Sequence, residues 1–146
     1  LGPGSYTGIR AAIALAQGWE LATGVKLLGL SSAEVLAAQA PKEKLFGRVN
    51  VIIDAQRNEF YHTTWHVSAV ELQAIAPLKI VPQAHVEKLR AAGEICAGPD
   101  AAPALFPTAA RLAQLAWSRN DFVAGKDLSP IYLRETTFVK APPARY

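Results

Sequence analysis

The sequence is short of the residues that mark several classes of protein. It contains one cysteine, Cys96, among 146 residues, and no methionine. A single cysteine forms no internal disulfide, which excludes a disulfide-stapled secreted domain and predicts a reducing compartment, the cytoplasm. No apolar run approaches the roughly 20 residues that span a bilayer, and no signal-peptide pattern stands at the front. We therefore predict no contact with a membrane.

The sequence also lacks a large excess of charge of either sign. Fifteen Lys and Arg residues stand against twelve Asp and Glu, a net charge of +3, and the basic residues are scattered along the chain. A dedicated nucleic-acid binder concentrates its basic residues in a patch, so this class is not favoured. Apolar residues are plentiful, at 51% against 18% charged, and this composition is typical of a globular domain.

The opening segment, "LGPGSYTGIRAAIALAQGWELA", predicts a tight turn followed by a helix. The hydroxyl of Ser5 or Thr7 can cap a helix that runs to Ala22 and stops at Gly24. One face carries Ile9, Ile13 and Ala16, and a neighbouring face carries Ala12, Leu15, Trp19 and Ala22. A helix with two apolar faces needs both of them covered. Either its own sheet covers one face and a partner protein the other, or its own chain covers both. The residues predicted for a partner interface are Ile9, Ala12, Ile13, Ala16 and Trp19.

The remaining pattern predicts an α/β protein. Its predicted elements are a strand at 25–31, a helix at 31–40, strands at 48–56, 60–68 and 72–81, a helix at 83–93, a strand at 94–99 and a helix at 108–125. Three meandering strands followed by helix, strand and helix form the ribonuclease-H-like order. We predict that residues 48–146 form one such lobe and that residues 1–47 end an earlier, incomplete lobe whose leading strands are absent.

The turn at the start is a candidate anion or nucleotide site. Glycines permit its backbone angles, and free amides at a helix start attract anions. No Lys follows as in a Walker loop, and the third glycine falls one residue late for GxGxxG. A tight turn without a ligand is the alternative. The candidate residues are Gly2, Gly4, Ser5, Thr7 and Gly8.

Other chemistry-bearing residues have structural interpretations. "HTTWH" lacks the Glu of a zinc protease, and on a strand His62 and His66 would lie roughly 13 Å apart, too far to share a metal. His85 belongs to another segment. We therefore predict neither a metal site nor catalytic residues.

Three further side chains are interpreted structurally. Asp54 and Glu59 are expected to cap a turn and pair with Arg57. Cys96 is expected to behave as a buried small hydrophobe.

Three motifs resemble one protein family. "LGPGSYTGIRAAIALAQGWE" is similar to the signature of the TsaB family, also called YeaZ. "VIIDAQRNEFY" resembles the family's DAR-x-x-E-V-Y segment, with Gln56 in place of the arginine, and "SPIYLRE" resembles its P-x-Y-L-R. The family's opening strands, with their DTS segment, have no counterpart here. We therefore expect the chain to be a fragment that begins inside the first lobe.

The resemblance implies a fold and a role. TsaB proteins resemble sugar kinases and actin in fold and belong to the bacterial machinery that makes threonylcarbamoyladenosine in tRNA. In that machinery TsaD carries the metal and the transfer chemistry, and TsaB is a partner that is not itself catalytic. The implied contacts are a TsaD-type subunit, a TsaE-type ATPase and tRNA through the complex, and a second copy in isolation. No cofactor is implied, with ATP binding weak or absent.

Two other functions stay open on the sequence. An actin-like ATPase would need phosphate loops in both lobes, and "AGPDAA" at 97–102 lacks the usual Gly-Gly loop and a nearby Lys. A glycoprotease-type metallopeptidase is the more remote alternative, because "HTTWH" lacks its general base.

Overall fold

A four-stranded sheet forms the centre of the computed structural model, which describes residues 1–134. The strands are β1 (Gly47–Gln56), β2 (Glu59–Val67), β3 (Leu72–Pro82) and β4 (Ile95–Ala97). Their order is β3-β2-β1-β4; β4 runs parallel to β1 and the other pairs are antiparallel. The predicted meander is confirmed, and Pro77 lies on the edge strand β3, where its missing N–H removes no ladder bond from a central strand.

Within residues 1–134, four α-helices and two short 3₁₀ helices accompany the sheet. The α-helices are α1 (Tyr6–Thr23), α2 (Ser32–Gln39), α3 (Gln83–Ala91) and α4 (Ala109–Ala116), and the 3₁₀ helices are Ala40–Glu43 and Gly125–Asp127. Among the described residues, none of these helices combines the length and the apolar character that a membrane crossing requires.

Each face of the sheet is covered by a helix. Alternation along β1 sends Val49 and Val51 to the face under α2, where they are fully buried with Leu36. Ile52 points the other way and packs with Val86 of α3. Each fully buried aliphatic side chain of this kind contributes about 2 kcal/mol. The sheet and its two helices therefore carry most of the apolar core.

Helix α1 begins and ends as predicted. The Ser5 hydroxyl accepts the N–H of Gly8 at 3.3 Å, so Ser5 rather than Thr7 is the cap. Gly24 adopts the left-handed conformation, φ 71°, and stops the helix. Yet Ile13 is the one buried residue of its eighteen. Compared with α2, this helix is loosely attached.

Residues 119–134, here called the C-terminal strap, return from α4 across α1. Arg119 pairs with Glu34 of α2 at 2.9 Å, and the Val123 N–H donates to the Leu27 carbonyl at 2.9 Å. Leu128 is buried against Ile13. The strap thus contacts α1, α2 and the segment between them.

The predicted strand at 25–31 is wrong. Leu27 and Leu30 are buried as the apolar run indicated, but among residues 1–134 the segment forms one isolated bridge, between Leu27 and Val123. A strand needs a neighbour along its whole length, and local apolarity does not supply one.

Two other local predictions need correction. The last helix was predicted over 108–125, but α4 ends at Ala116, after which the chain extends and bonds to Leu27. The spacing of Ser31 and Glu34 predicts a capping box, but only half of it forms: the Ser31 hydroxyl accepts the N–H of Ala33 at 3.2 Å, whereas Glu34 pairs with Arg119.

The packing crosses the predicted lobe boundary at residue 47. Helix α2 lies before that boundary, yet Ala33, Leu36 and Ala37 pack against β1 in one core cluster. Conversely, the strap lies after the boundary and packs on α1. Residues 135–146, including the last residue of "SPIYLRE", lie outside the described residues.

Candidate functional site

Helix α1 presents an uncharged surface to solvent, here called the outer face of α1. Its residues are spaced by three and four positions, which places them along one side of the helix. All of them are exposed, Leu15 by 69% and Trp19 by 63%. None of them carries a charge. The outer face consists of Gly8, Ala11, Ala12, Leu15, Gly18, Trp19 and Ala22.

The predicted interface residues divide between the two sides of α1. Ala12 and Trp19 lie on the outer face, whereas Ile13 is buried inside the chain and Ile9 and Ala16 pack against the same cluster. Leu15 was missing from the five predicted residues. Its spacing of four residues from both Ala11 and Trp19 is the signal that identifies it.

The two charged residues and the glutamine of α1 lie on the opposite side and bond to the rest of the chain. Gln17 donates to the carbonyl of Gly125 at 2.6 Å, and the Glu20 carboxylate accepts the Gly125 N–H at 2.8 Å. Arg10 donates to the hydroxyl of Tyr132 at 3.3 Å. A helix that serves only its own fold places its polar side toward water, whereas in α1 the side that lacks charge faces water and the charged residues lie beside buried Ile13.

The predicted anion turn is tied into the fold through its backbone. The Gly2 carbonyl accepts the N–H of Ser32 at 2.7 Å and the hydroxyl of Ser31 at 3.2 Å. Gly2 has φ 95°, and a Cβ there would lie 2.8 Å from a methyl of Ile9. These contacts account for Gly2 structurally, and Ser5 acts as the helix cap. An anion role for the turn stays a prediction.

A polar cavity of about 520 Å³ lies beside this turn. The residues lining it are Gly4, Ser5, Tyr6, Thr7, Asp54, Ala55, Gln56, Tyr61 and Arg134. The Arg134 guanidinium already pairs with Glu59 at 2.5 Å and donates to the Ala55 carbonyl at 3.1 Å. Asp54 adds a carboxylate. A phosphate in this cavity would meet a neutralised cation and a like charge.

The hairpin between β1 and β2 shows what Asp54 and Glu59 do. Asp54 caps the turn by accepting the N–H of Gln56 at 2.7 Å, as predicted. Glu59 pairs with Arg134 rather than with Arg57, so that predicted pairing is wrong. Arg134 comes from the late "YLR" motif and was missed because 75 residues separate it from Glu59 in sequence.

The three histidines do not form a metal centre. His62 and His66 lie on β2 as predicted, the first buried and the second exposed. The fold brings His85 of α3 beside His62, with 5.1 Å between ring centroids. No sequence pattern indicates this contact, because the two histidines belong to separate elements. Within residues 1–134, no three His, Cys, Asp or Glu side chains are grouped as a metal site requires.

Cys96 is half-buried against the cluster of Ile52 and Val86. Burial raises the pKa of its thiol, which fits the predicted role as a small hydrophobe rather than a nucleophile.

The chain resembles known proteins both in sequence and in fold. Residues 1–118 match the family model described as TsaD, tRNA N6-adenosine threonylcarbamoyltransferase. Over 60 residues the chain is 38% identical to the tRNA threonylcarbamoyladenosine biosynthesis protein TsaB of Escherichia coli K12, covering 41% of this chain and 26% of that protein. The chain therefore spans about a quarter of the curated relative that it matches.

Two solved structures from Pseudomonas aeruginosa resemble the whole fold. One is an uncharacterized protein with similarity to the peptidase YeaZ, with a TM-score of 0.72 and 28% identity over 91% of this chain and 70% of that chain. The other is YeaZ, with a TM-score of 0.71 and 26% identity over 90% and 71%. These likenesses confirm the predicted α/β fold class.

Proposed function

The chain belongs to the family described as TsaD, tRNA N6-adenosine threonylcarbamoyltransferase, and from this premise we propose that it is a partner subunit in tRNA threonylcarbamoyladenosine biosynthesis. In this proposal a TsaD-type subunit carries out the transfer and this chain supports it through a helical contact. The name of the E. coli relative, a tRNA threonylcarbamoyladenosine biosynthesis protein, supports the assignment to this process. The uncharged side that α1 presents to water supports the contact.

The outer face of α1 is suited to another helix. Gly8, Ala11 and Gly18 let a second backbone approach closely, while Leu15 and Trp19 supply apolar area. Full burial of a leucine is worth about 2 kcal/mol, before the cost of association is subtracted. Two such anchors surrounded by small residues resemble the centre of a protein interface.

Leu15→Glu tests the contact, with Leu21→Glu as its matched control. Both leucines are exposed on α1, by 69% and 87%, but Leu21 lies two positions from Trp19 and points away from the outer face. We expect Leu15→Glu to weaken binding of the TsaD-type subunit at least about tenfold and Leu21→Glu to leave it unchanged. Calorimetry on the intact proteins measures both. Equal effects of the two variants would contradict the proposed interface.

Other partners follow from the same role. In isolation, a second copy is expected to cover the outer face. A TsaE-type ATPase and tRNA are expected to reach the chain only through the complex, which we expect in the cytoplasm.

An actin-like nucleotide-binding protein is the second candidate, and the 520 Å³ cavity beside the start of α1 is the feature that favours it. Two residues of that cavity disfavour nucleotide binding. Arg134 is already paired with Glu59, and the carboxylate of Asp54 would repel a phosphate. We propose weak or absent ATP binding. Calorimetry of the intact protein with ATP decides between the candidates, since micromolar affinity would favour the nucleotide-binding class.

A further inference from the structure

The position of α1 depends on a small number of contacts. An apolar cavity of about 570 Å³ lies beneath it, lined in part by Ile9, Ile13, Leu36 and Leu112. A helix over a cavity of this size lacks the close packing that fixes a buried helix. Among the regular elements in residues 1–134, the 3₁₀ helix Gly125–Asp127 is the one with which α1 makes its main contact. The C-terminal strap therefore holds α1, together with Leu1 and Leu27 of the core cluster around Ile13.

Gly125 forms a notch in which two side chains of α1 sit. Its N–H donates to Glu20 Oε2 at 2.8 Å, and its carbonyl accepts from Gln17 Nε2 at 2.6 Å. A Cβ on Gly125 would lie 2.2 Å from that Glu20 oxygen and 3.3 Å from Cγ of Gln17. Gly125 is also buried. The glycine is needed here for space, and any side chain would displace Glu20.

The strap contacts α1 along a single stripe. Arg10 reaches Tyr132, Ile13 packs on Leu128, and Gln17 and Glu20 hold Gly125; the stripe consists of positions 10, 13, 17 and 20. Their spacing of three and four residues places them on one side of the helix, opposite the outer face. Contacts spread over three turns fix both the rotation of the helix and its position along its axis.

We propose that Gly125, Gln17 and Glu20 are positioning residues for the partner interface: they set the orientation of the outer face of α1 without touching the partner. This inference rests on the proposed function. Each residue along an α-helix is rotated by about 100° from the one before it, so a slip of one position would turn Leu15 and Trp19 away from the partner. The charge-assisted bond from Gly125 to Glu20 is the strongest of these restraints.

Three variants in the intact protein test the proposal. Gly125→Ala closes the notch, Glu20→Ala removes the acceptor, and Glu20→Gln keeps an acceptor oxygen for the Gly125 N–H. Lys126→Ala, exposed next to the notch, is the control. Two quantities are measured: the affinity for the TsaD-type subunit, and amide hydrogen exchange of α1 and of β1. Exchange in β1 reports whether the core is intact.

We expect Gly125→Ala and Glu20→Ala to weaken partner binding about tenfold and to speed exchange in α1 while β1 stays protected. Glu20→Gln and Lys126→Ala should stay within about threefold of the wild type. If Gly125→Ala does not fold, the two Glu20 variants carry the test. Rescue by glutamine distinguishes positioning from a general loss of stability, which would also move β1.

Two results obtained with the variants would overturn the inference. Faster exchange in α1 with unchanged partner affinity would show that the strap stabilises α1 but does not position it. Unchanged exchange and affinity in Glu20→Ala would show that the notch is dispensable. A wild-type protein that does not bind the TsaD-type subunit would overturn the proposed function and, with it, this inference, and that result is distinguishable because it appears before any substitution is made.

Discussion

Acidification from pH 7 to pH 5 is expected to destabilise the protein through one buried side chain, His62. Its Nε2 lies 3.1 Å from Asn50 Oδ1, which also accepts the Thr64 hydroxyl at 3.1 Å. Because the Asn50 oxygen is an acceptor, we infer that Nε2 carries the hydrogen of the neutral ring. Protonation would then occur at Nδ1, which is buried and has no hydrogen-bond partner within residues 1–134.

The environment of that nitrogen lowers the pKa of His62 from 6.5 to about 4. Burial is the largest cause, followed by the charges of His85, Lys79 and Arg48. The folded state therefore binds fewer protons than the unfolded state, and stability falls as the pH drops from 6.5 toward 4. From those two pKa values the free energy of unfolding should fall by about 2 kcal/mol at pH 5 and about 3 kcal/mol at pH 4, relative to neutral pH.

The assay is urea denaturation of the wild type and of His62→Gln at a series of pH values. A glutamine amide can still donate to Asn50 but does not titrate, so the difference between the two proteins isolates His62. His66→Gln, an exposed histidine on the same strand, is the control and should keep the wild-type dependence. Asp121 does not interfere above pH 5, because its hydrogen bond with Arg119 lowers the pKa of that carboxyl to about 2.

Parallel loss of stability in the wild type and His62→Gln between pH 7 and 5 would refute this reasoning. It would mean that His62 is solvated, or protonated at no cost, in the folded protein. A smaller difference, below about 1 kcal/mol at pH 5, would correspond to a folded pKa above about 5.5 and would contradict the burial of the ring.

Two further predictions concern glycine and cysteine. Gly98→Ala should destabilise the protein by at least about 2 kcal/mol in chemical denaturation, because φ is 148° and a Cβ would lie 1.9 Å from the carbonyl oxygen of Ile52. Gly18→Ala is the matched control, because nothing lies within 4 Å of its added Cβ. It should stabilise the isolated chain by about 1 kcal/mol. Cys96 should react with a thiol reagent at pH 8 at least about tenfold more slowly than free cysteine, since burial raises its pKa, and equal rates would contradict that burial.

The four-stranded sheet could be predicted from the sequence because its signals are local. Alternation in β1 and the aromatic and β-branched residues of β2 each predict a strand from a few neighbouring residues, and Pro77 indicates that β3 lies at an edge. Gly24 and Gly93 stop their helices in the left-handed conformation, at φ 71° in both cases. Information of this kind is carried by neighbours in sequence and needs no knowledge of the tertiary fold.

Predictions from the sequence fail where contacts between distant segments determine the structure. The run at 25–31 is buried at Leu27 and Leu30, but its conformation depends on Val123, which lies far along the chain. The contacts between His62 and His85, and between Arg134 and Glu59, likewise join separate elements. Gly125 gave no signal in sequence, because its φ is ordinary and its role is to leave room for Glu20.

The outer face of α1 raises a question of stability, since a helix with one buried residue receives little support from packing. The composition of α1 supplies part of its stability, because five alanines and two leucines among its eighteen residues are strong helix formers. Gly8 and Gly18 work against this propensity, each by about 1 kcal/mol, and neither adopts a conformation that requires glycine. Both lie on the outer face. Their retention is explained if a partner backbone must approach there, so Gly18→Ala should stabilise the isolated chain and weaken the complex together. Stabilisation without weaker binding would argue that the contact lies elsewhere.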